Sequence, residues 1–251
     1  MELKFSNFYL IEDFMTEELS ILLVTAASLG FVHTSLGPDH YVPFIAMSKA
    51  RDWSIYKTSL ITILCGIGHV FGSVIIGIIG IAFGIAITTL QDIESTRGEI
   101  AAWLLVSFGL VYLIWGLRKA YRNKTHSHIH VHQGGEVHVH THIHEKEHAH
   151  VHQDEKKSNI TPWILFTIFV FGPCEVLIPL FIYTASLKNT FGLALVTSVF
   201  GLATILTMLV IVLASLSGIK LISIKKIEKY THALAGAIIL FCGLAIKFLG
   251  L

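Results

Sequence analysis

The chain has 251 residues, of which 53% are hydrophobic and 14% are charged, with a formal net charge of +1. Soluble domains carry about 25% charged residues. This composition excludes a soluble enzyme and a nucleic-acid-binding protein, and it predicts an all-α integral membrane protein with the lipid bilayer as its surroundings. The three cysteines, Cys65, Cys174 and Cys242, are scattered, a spacing that does not indicate a disulfide framework.

Six apolar runs are long enough to cross a bilayer, which takes about 20 residues per helix. The second run is longer than one helix needs. It predicts either one long tilted helix or a helix broken among Gly77, Gly80 and Gly84. In chain order the runs cover 19–36 with a continuation to 47, 58–91, 100–117, 160–187, 190–217 and 232–249.

Basic residues are distributed unequally between alternate loops. Fourteen of the 18 Lys and Arg residues follow the first, third or fifth run, and the other four are Lys4, Arg97, Lys188 and Lys247. Because positively charged loops stay on the cytoplasmic side, the pattern predicts a multi-pass protein of the cell (inner) membrane. Both termini are expected outside the cytoplasm and the long central loop inside it.

Short motifs recur in the same order in the two halves of the chain. Gly37-Pro38 matches Gly172-Pro173, and an acidic residue follows each pair. Three spans per half is an odd number, so the halves must have opposite orientations, an arrangement that places binding sites near the midplane. We therefore expect an N-terminal segment 1–18, a first three-helix repeat 19–118, a loop 119–159 and a second repeat 160–251. Further matches are Val70-Phe71-Gly72 with Val199-Phe200-Gly201, and Gly109-Leu110 with Gly243-Leu244.

Ionisable residues inside the apolar runs are costly and indicate function by default. Imidazole and carboxylate together suit divalent transition metals, whereas a lone histidine is more often a hydrogen-bonded helix contact. The cluster predicts a metal site formed by His33, Asp39, His40 and His69. Glu175 and Cys174, at the second Gly-Pro pair, are candidates for metal ligands, a proton carrier or packing residues.

The segment from His33 to Asp39-His40, followed by Gly68-His69, resembles the signature of the nickel/cobalt transporter family. It is most similar to the six-span, urease-accessory-like branch, and it also resembles the nickel/cobalt efflux proteins. This sequence has five residues between His33 and Asp39, where the family has four. The resemblance implies a non-enzymatic transporter without a prosthetic group. Its expected cargo is Ni²⁺ or Co²⁺, with Zn²⁺ as a further candidate, and its expected partner is a cytoplasmic metallochaperone.

Two alternatives come from other classes of protein. Gly172-Pro173-Cys174 resembles an element of the membrane electron carriers of cytochrome c biogenesis, which also have inverted three-helix halves. Such a thiol carrier needs a redox cysteine in each half, and Asp39 occupies the matching position here. The other alternative is a metal-sensing scaffold that transports nothing.

Eleven of the 15 histidines fall in the central loop, where they alternate with other residues. Alternation with β-branched spacers predicts strands, and residues 133–136 could turn a hairpin. Histidine-rich tracts indicate metal binding, and a solvated linker is the alternative. The loop histidines are His126, His128, His130, His132, His138, His140, His142, His144, His148, His150 and His152.

Overall fold

The computed structural model describes residues 2–122, 126–131, 137–142, 160–220 and 229–249. Five of its helices are long and apolar enough to cross a membrane. This finding supports the expected multi-pass helical architecture in a bilayer. The predicted fourth span consists of two shorter apolar helices, so helix length alone does not establish six spans or the inverted repeat.

The first predicted span forms two helices joined by a short turn. Helix α1 covers Glu2–Leu36, a 3-10 turn covers Pro38–His40, and helix α2 covers Val42–Ala50. Proline lacks a backbone N–H, and its ring clashes with the preceding turn of a helix. The break expected at Gly37-Pro38 is therefore confirmed, and it places Asp39 and His40 in the turn rather than on a helix face.

The second predicted span contains the end of one helix and the start of the next. Helix α3 covers Ile55–Phe83 and ends at Gly84, whose φ of 63° is the left-handed conformation that favours glycine. Helix α4 covers Ile87–Arg122. A continuous helix over 58–91 is thus wrong and the broken alternative is confirmed. The third span starts at Ile87 rather than at residue 100, so Arg97 lies inside a helix and not in a loop.

The second half of the chain follows the predicted boundaries closely. Helices α5, Thr161–Phe171, and α6, Leu177–Ser186, are separated by Gly172-Pro173 as expected. Helix α7 covers Thr190–Lys220, and helix α8 covers Thr231–Leu249.

The central loop contains an antiparallel hairpin, formed by strands β1, His126–Val131, and β2, Val137–His142. The predicted hairpin is thereby confirmed. Its register pairs His126 with His142, His128 with His140, and His130 with His138. Metal binding by these histidines stays a prediction. His132, His144, His148, His150 and His152 lie outside the described residues.

The helices pack in pairs from opposite halves of the chain. Helix α4 lies along α8, α1 lies against α7, and α3 contacts α5, α6 and α7. Two apolar clusters result, one containing Phe169 and the other containing Phe200 and Cys174. The ring of His69 contacts Phe169, and the ring of His33 contacts Phe200. The polar residues of the first half therefore lie where the two clusters meet.

Candidate functional site

The turn after α1 is built around Gly37 and folds the side chain of His40 back onto the backbone. Nδ1 of His40 lies 3.1 Å from the Gly37 carbonyl oxygen and 3.0 Å from Oδ1 of Asp39. A Cβ atom on residue 37 would come within 2.5 Å of the same Nδ1 atom. A larger residue at position 37 would therefore displace the His40 ring, whose other nitrogen points into the protein.

Three histidines from two helices and the turn meet in the interior. Nε2 of His40 lies 3.3 Å from Nε2 of His69, and both side chains are buried. The ring centroid of His33 lies 4.7 Å from that of His40 and 6.1 Å from that of His69. The structure thus brings together the three histidines and Asp39 that the sequence grouped.

Hydrogen-bond partners constrain the protons on these rings. The two groups facing Nδ1 of His40 are a carbonyl oxygen and a carboxylate oxygen, which only accept, so Nδ1 carries the hydrogen. In the neutral ring, Nε2 of His40 then carries a lone pair that points at His69. The His69 ring hydrogen-bonds the Phe169 carbonyl, which only accepts, so the hydrogen of the neutral His69 ring is used there. Two Nε2 lone pairs then face each other, and a proton or another cation between them would stabilise the pair.

Cys174 joins this cluster from the break between α5 and α6. Its Sγ atom lies 3.9 Å from Nε2 of His33, and the residue has no solvent exposure. One ligand atom each from His33, His69 and Cys174 lies within 4.8 Å of the others. Imidazole and thiolate ligands suit zinc and other thiophilic metals. The arrangement can hold a small cation, and it places a base beside a thiol.

A buried ion pair on α4 stabilises the second break, and the sequence analysis missed it. Arg97 and Glu94 form a salt bridge, and the Glu94 side chain has no exposure. Nη2 of Arg97 donates to the carbonyl oxygens of Val170 at 2.7 Å and Gly172 at 3.3 Å. Oε2 of Glu94 accepts the backbone N–H of Cys174 at 2.9 Å. These side chains satisfy the backbone groups that the broken helix leaves free, as buried backbone requires.

A cavity of about 720 Å³ borders the cluster. Asp39 and Glu175 both line it, as do His33, His40 and His69. The two acidic residues of the matched Gly-Pro motifs therefore face one space. Glu175 is exposed to the cavity, whereas Cys174 is sealed behind the break, so the exchange of anything bound at Cys174 requires the break to move.

A model of the cytochrome c biogenesis protein transmembrane region family matches residues 42–245. Because the match covers most of the 251 residues, the chain belongs to this family. Together with the apolar helices, it also supports a multi-pass membrane protein. No curated protein and no solved structure matches the chain.

The family match corrects two expectations from the sequence. Membership of the nickel/cobalt transporter family is wrong, and transport of Ni²⁺ or Co²⁺ as the function is wrong with it. That resemblance rested on a few polar residues between His33 and His69, whereas the family match extends from the start of α2 to near the end of α8. A metallochaperone partner has no support once metal transport is removed.

Proposed function

We propose that the chain is a membrane thiol carrier of the cytochrome c biogenesis type, in which Cys174 is the exchanging thiol. The observation that carries the proposal is the buried contact of 3.9 Å between Sγ of Cys174 and Nε2 of His33, beside the Gly172-Pro173 break. Family membership supports it. The chain is then a carrier and not an enzyme with a substrate of its own.

One cysteine is sufficient when the partners supply the others. The Cys174 thiol gives its proton to His33, and the thiolate attacks a disulfide of an acceptor protein, which forms a mixed disulfide and releases one acceptor thiolate. A thiolate of a dithiol donor then attacks Cys174, which releases the second acceptor thiol. The second donor thiol frees Cys174 and closes the donor disulfide. Overall, one dithiol is oxidised and one disulfide is reduced, a transfer of two electrons and two protons.

Thiol transfer across sealed vesicles tests this proposal. Proteoliposomes with reduced glutathione inside and a membrane-impermeant aromatic disulfide outside should release the coloured thiol. We expect Cys174→Ala to lower the rate at least tenfold, whereas Cys65→Ala and Cys242→Ala should retain it, because neither of these buried thiols forms a hydrogen bond to a histidine in the described part of the chain. An unchanged rate in Cys174→Ala contradicts the proposal.

A second candidate function is metal binding without transport, which the convergence of His33, His69 and Cys174 within 4.8 Å favours. At this site a metal ion would be bound by the imidazole lone pairs of His33 and His69 and by the thiolate of Cys174. Co²⁺ is a spectroscopic substitute for Zn²⁺ in such a site. This candidate needs no partner thiol, so its test is independent of thiol transfer.

Cobalt titration of the purified full-length chain measures the second candidate. A thiolate ligand produces a charge-transfer band in the near ultraviolet that the histidines of the central loop cannot produce. We expect the band in the wild-type chain and in Cys65→Ser, and its loss in Cys174→Ser. The band is expected to weaken at least threefold in His69→Ala. Equal bands in Cys65→Ser and Cys174→Ser exclude this site.

We infer that the two halves are inverted three-helix repeats with six spans, in which the shorter helices α5 and α6 together form the fourth span. Reciprocal contacts of two glycines support this inference. A Cβ atom on Gly109 of α4 would strike the backbone of Leu240, and a Cβ atom on Gly243 of α8 would strike the backbone of Val106. The matched glycines thus meet matched positions on the opposite helix, as a twofold axis between α4 and α8 requires.

We further infer that both termini lie outside the cytoplasm and that the central loop lies inside it. The distribution of basic residues supports this orientation. Arg97 lies in α4 and not in a loop, and its charge is paired with Glu94. The unequal distribution of basic residues between the loops is therefore unchanged.

A further inference from the structure

Three basic side chains converge at the end of the molecule opposite Gly84. Arg51 follows α2, Lys119 lies near the end of α4, and His232 lies in the first turn of α8. The Arg51 guanidinium lies 5.5 Å from the ring centroid of Tyr112 and 5.4 Å from that of Trp115. Lys119 Nζ lies 5.5 Å from the centroid of the same Trp115 ring. Two cations thus share one indole.

The hydrogen bonds of this cluster leave an excess of donors. Lys119 Nζ can only donate, so Nε2 of His232 accepts its hydrogen bond at 2.9 Å. Nδ1 of His232 then carries the hydrogen and donates to the Tyr112 hydroxyl oxygen at 2.9 Å. The Tyr112 O–H and the remaining N–H groups of Lys119 are therefore hydrogen-bond donors that have no acceptor among these four residues. The buried Nε atom of Arg51 has no hydrogen-bond partner among the described residues.

Among the described residues, no salt bridge to a carboxylate neutralises the cluster. The salt bridges in the described part of the chain are His40–Asp39, Glu94–Arg97 and Lys247–Glu99, none of which involves these residues. The acidic neighbour of His232 is the exposed Asp52. One exposed carboxylate faces two permanent cations and a histidine, so the cluster as a whole favours an anion with several acceptor oxygens.

The position of the cluster indicates the source of that anion. Helices α4 and α8 are both long enough to cross a membrane, and the cluster lies where α4 ends and α8 begins. Trp115 is 42% exposed and Tyr121, one turn and a half further along, is 62% exposed, as is typical of aromatic residues at the headgroup level. Basic pockets between helices at this level bind anionic headgroups.

We propose that Arg51 and Lys119, with Trp115 as the floor and His232 holding Lys119 and Tyr112 in position, form a binding site for a phosphate group that an anionic lipid headgroup presents. The guanidinium and the ammonium donate to the phosphate oxygens, and the Tyr112 hydroxyl supplies a third donor. Because Arg51 ends the helix that follows the His40 turn, the headgroup joins α2 to the α4–α8 pair.

Native mass spectrometry of the full chain in detergent tests the site with three probes: phosphatidylglycerol, phosphatidylcholine and inorganic phosphate. We expect one phosphatidylglycerol to remain bound in preference to phosphatidylcholine. The double variant Arg51→Gln with Lys119→Gln should weaken that binding about 25-fold, since each of the two side chains donates directly to the phosphate and the loss of each charge-assisted contact is expected to weaken binding roughly fivefold. Lys119→Gln alone, at an exposed position, should weaken it about fivefold without a risk to folding.

The matched control removes two charges at the same helix end, with Arg118→Gln and Arg122→Gln, both exposed and outside the cluster. It should change phosphatidylglycerol binding less than twofold. Equal losses in the two double variants would show general charge attraction and overturn the site. Displacement of the lipid by inorganic phosphate at equal concentration would overturn the lipid as the source of the phosphate.

Discussion

Glu94 illustrates how single residues hold the candidate site. Its carboxylate accepts hydrogen bonds from the Ser73 hydroxyl and the Cys174 N–H, each at 2.9 Å, and it pairs with Arg97. A buried carboxylate with a cation and two further donors is fully satisfied. The backbone of Cys174 is thereby fixed by α4, a helix that contributes no histidine to the cluster.

The substitution Glu94→Gln keeps the shape of the side chain but removes its charge, and it should loosen the segment between α5 and α6. Arg97 would be left without its counter-ion, and removing one partner of a buried ion pair costs about 3 kcal/mol or more. We expect a lower thermal unfolding midpoint in detergent and faster alkylation of Cys174 by a maleimide. Glu99→Gln is the matched control, because its pair with Lys247 is 61% exposed at Glu99 and such pairs contribute about 1 kcal/mol or less. Equal effects of the two variants would contradict this role of Glu94.

The sequence could predict which residues form the histidine cluster but not what holds it together. His33, Asp39, His40 and His69 stand out because each is ionisable in an apolar run. Glu94 and Arg97 do not stand out, because a hydropathy scale scores each charged residue separately and takes no account of a salt bridge between the two. Their spacing of three residues, which brings side chains together on a helix, was the signal that could have identified them.

At the scale of the helices, proline marked the breaks better than charge or glycine did, since the charged residues from Asp92 to Glu99 lie inside α4. The breaks at Pro38 and Pro173 were predictable because proline cannot continue a helix. The boundary between α3 and α4 was only one of two alternatives, because no charged residue interrupts 58–91 and the sequence does not distinguish Gly84 from Gly77 and Gly80 as the end of the helix. The left-handed conformation of Gly84 is a property of the fold that composition does not report.

The contact between α4 and α8 depends on small residues, as is common between membrane helices. Gly109→Ala would place a methyl group against the backbone of Leu240, and Gly243→Ala would place one 2.9 Å from the backbone nitrogen of Val106. Backbone cannot move aside as a side chain can. We expect each variant to lose about 2 kcal/mol of stability, measured by unfolding in mixed detergent micelles.

The control for these variants is Gly218→Ala in α7, where a Cβ atom has nothing within 4 Å. It should leave stability unchanged or slightly raised, because alanine favours helix more than glycine does. If Gly109 and Gly243 are related by a twofold axis, their losses should be similar. A loss at one position with none at the other argues against the reciprocal packing.

At the scale of the whole molecule, the family match and the polar motif pointed to different functions. The motif between His33 and His69 contains the residue types of a metal site, but it is short, and part of it precedes the matched range 42–245. Family membership depends on the pattern of apolar helices along the chain, which a few ligands do not determine. The histidines and Cys174 nevertheless converge in the structure, and both of the proposed functions use this cluster.

The orientation of the molecule can be tested because its native thiols are hidden. Cys65, Cys174 and Cys242 are at most 7% exposed, so a membrane-impermeant maleimide applied to sealed inner-membrane vesicles should label introduced cysteines above a low background. With the positive loops inside the cell, Ser127→Cys in β1 should react in inverted vesicles and not in intact cells with a permeabilised outer envelope. Glu17→Cys, at an exposed position near the start of the first span, should show the opposite pattern. Labelling of both positions from one side would contradict the orientation, whereas the opposite pattern at both would reverse it and place the histidine-rich loop outside.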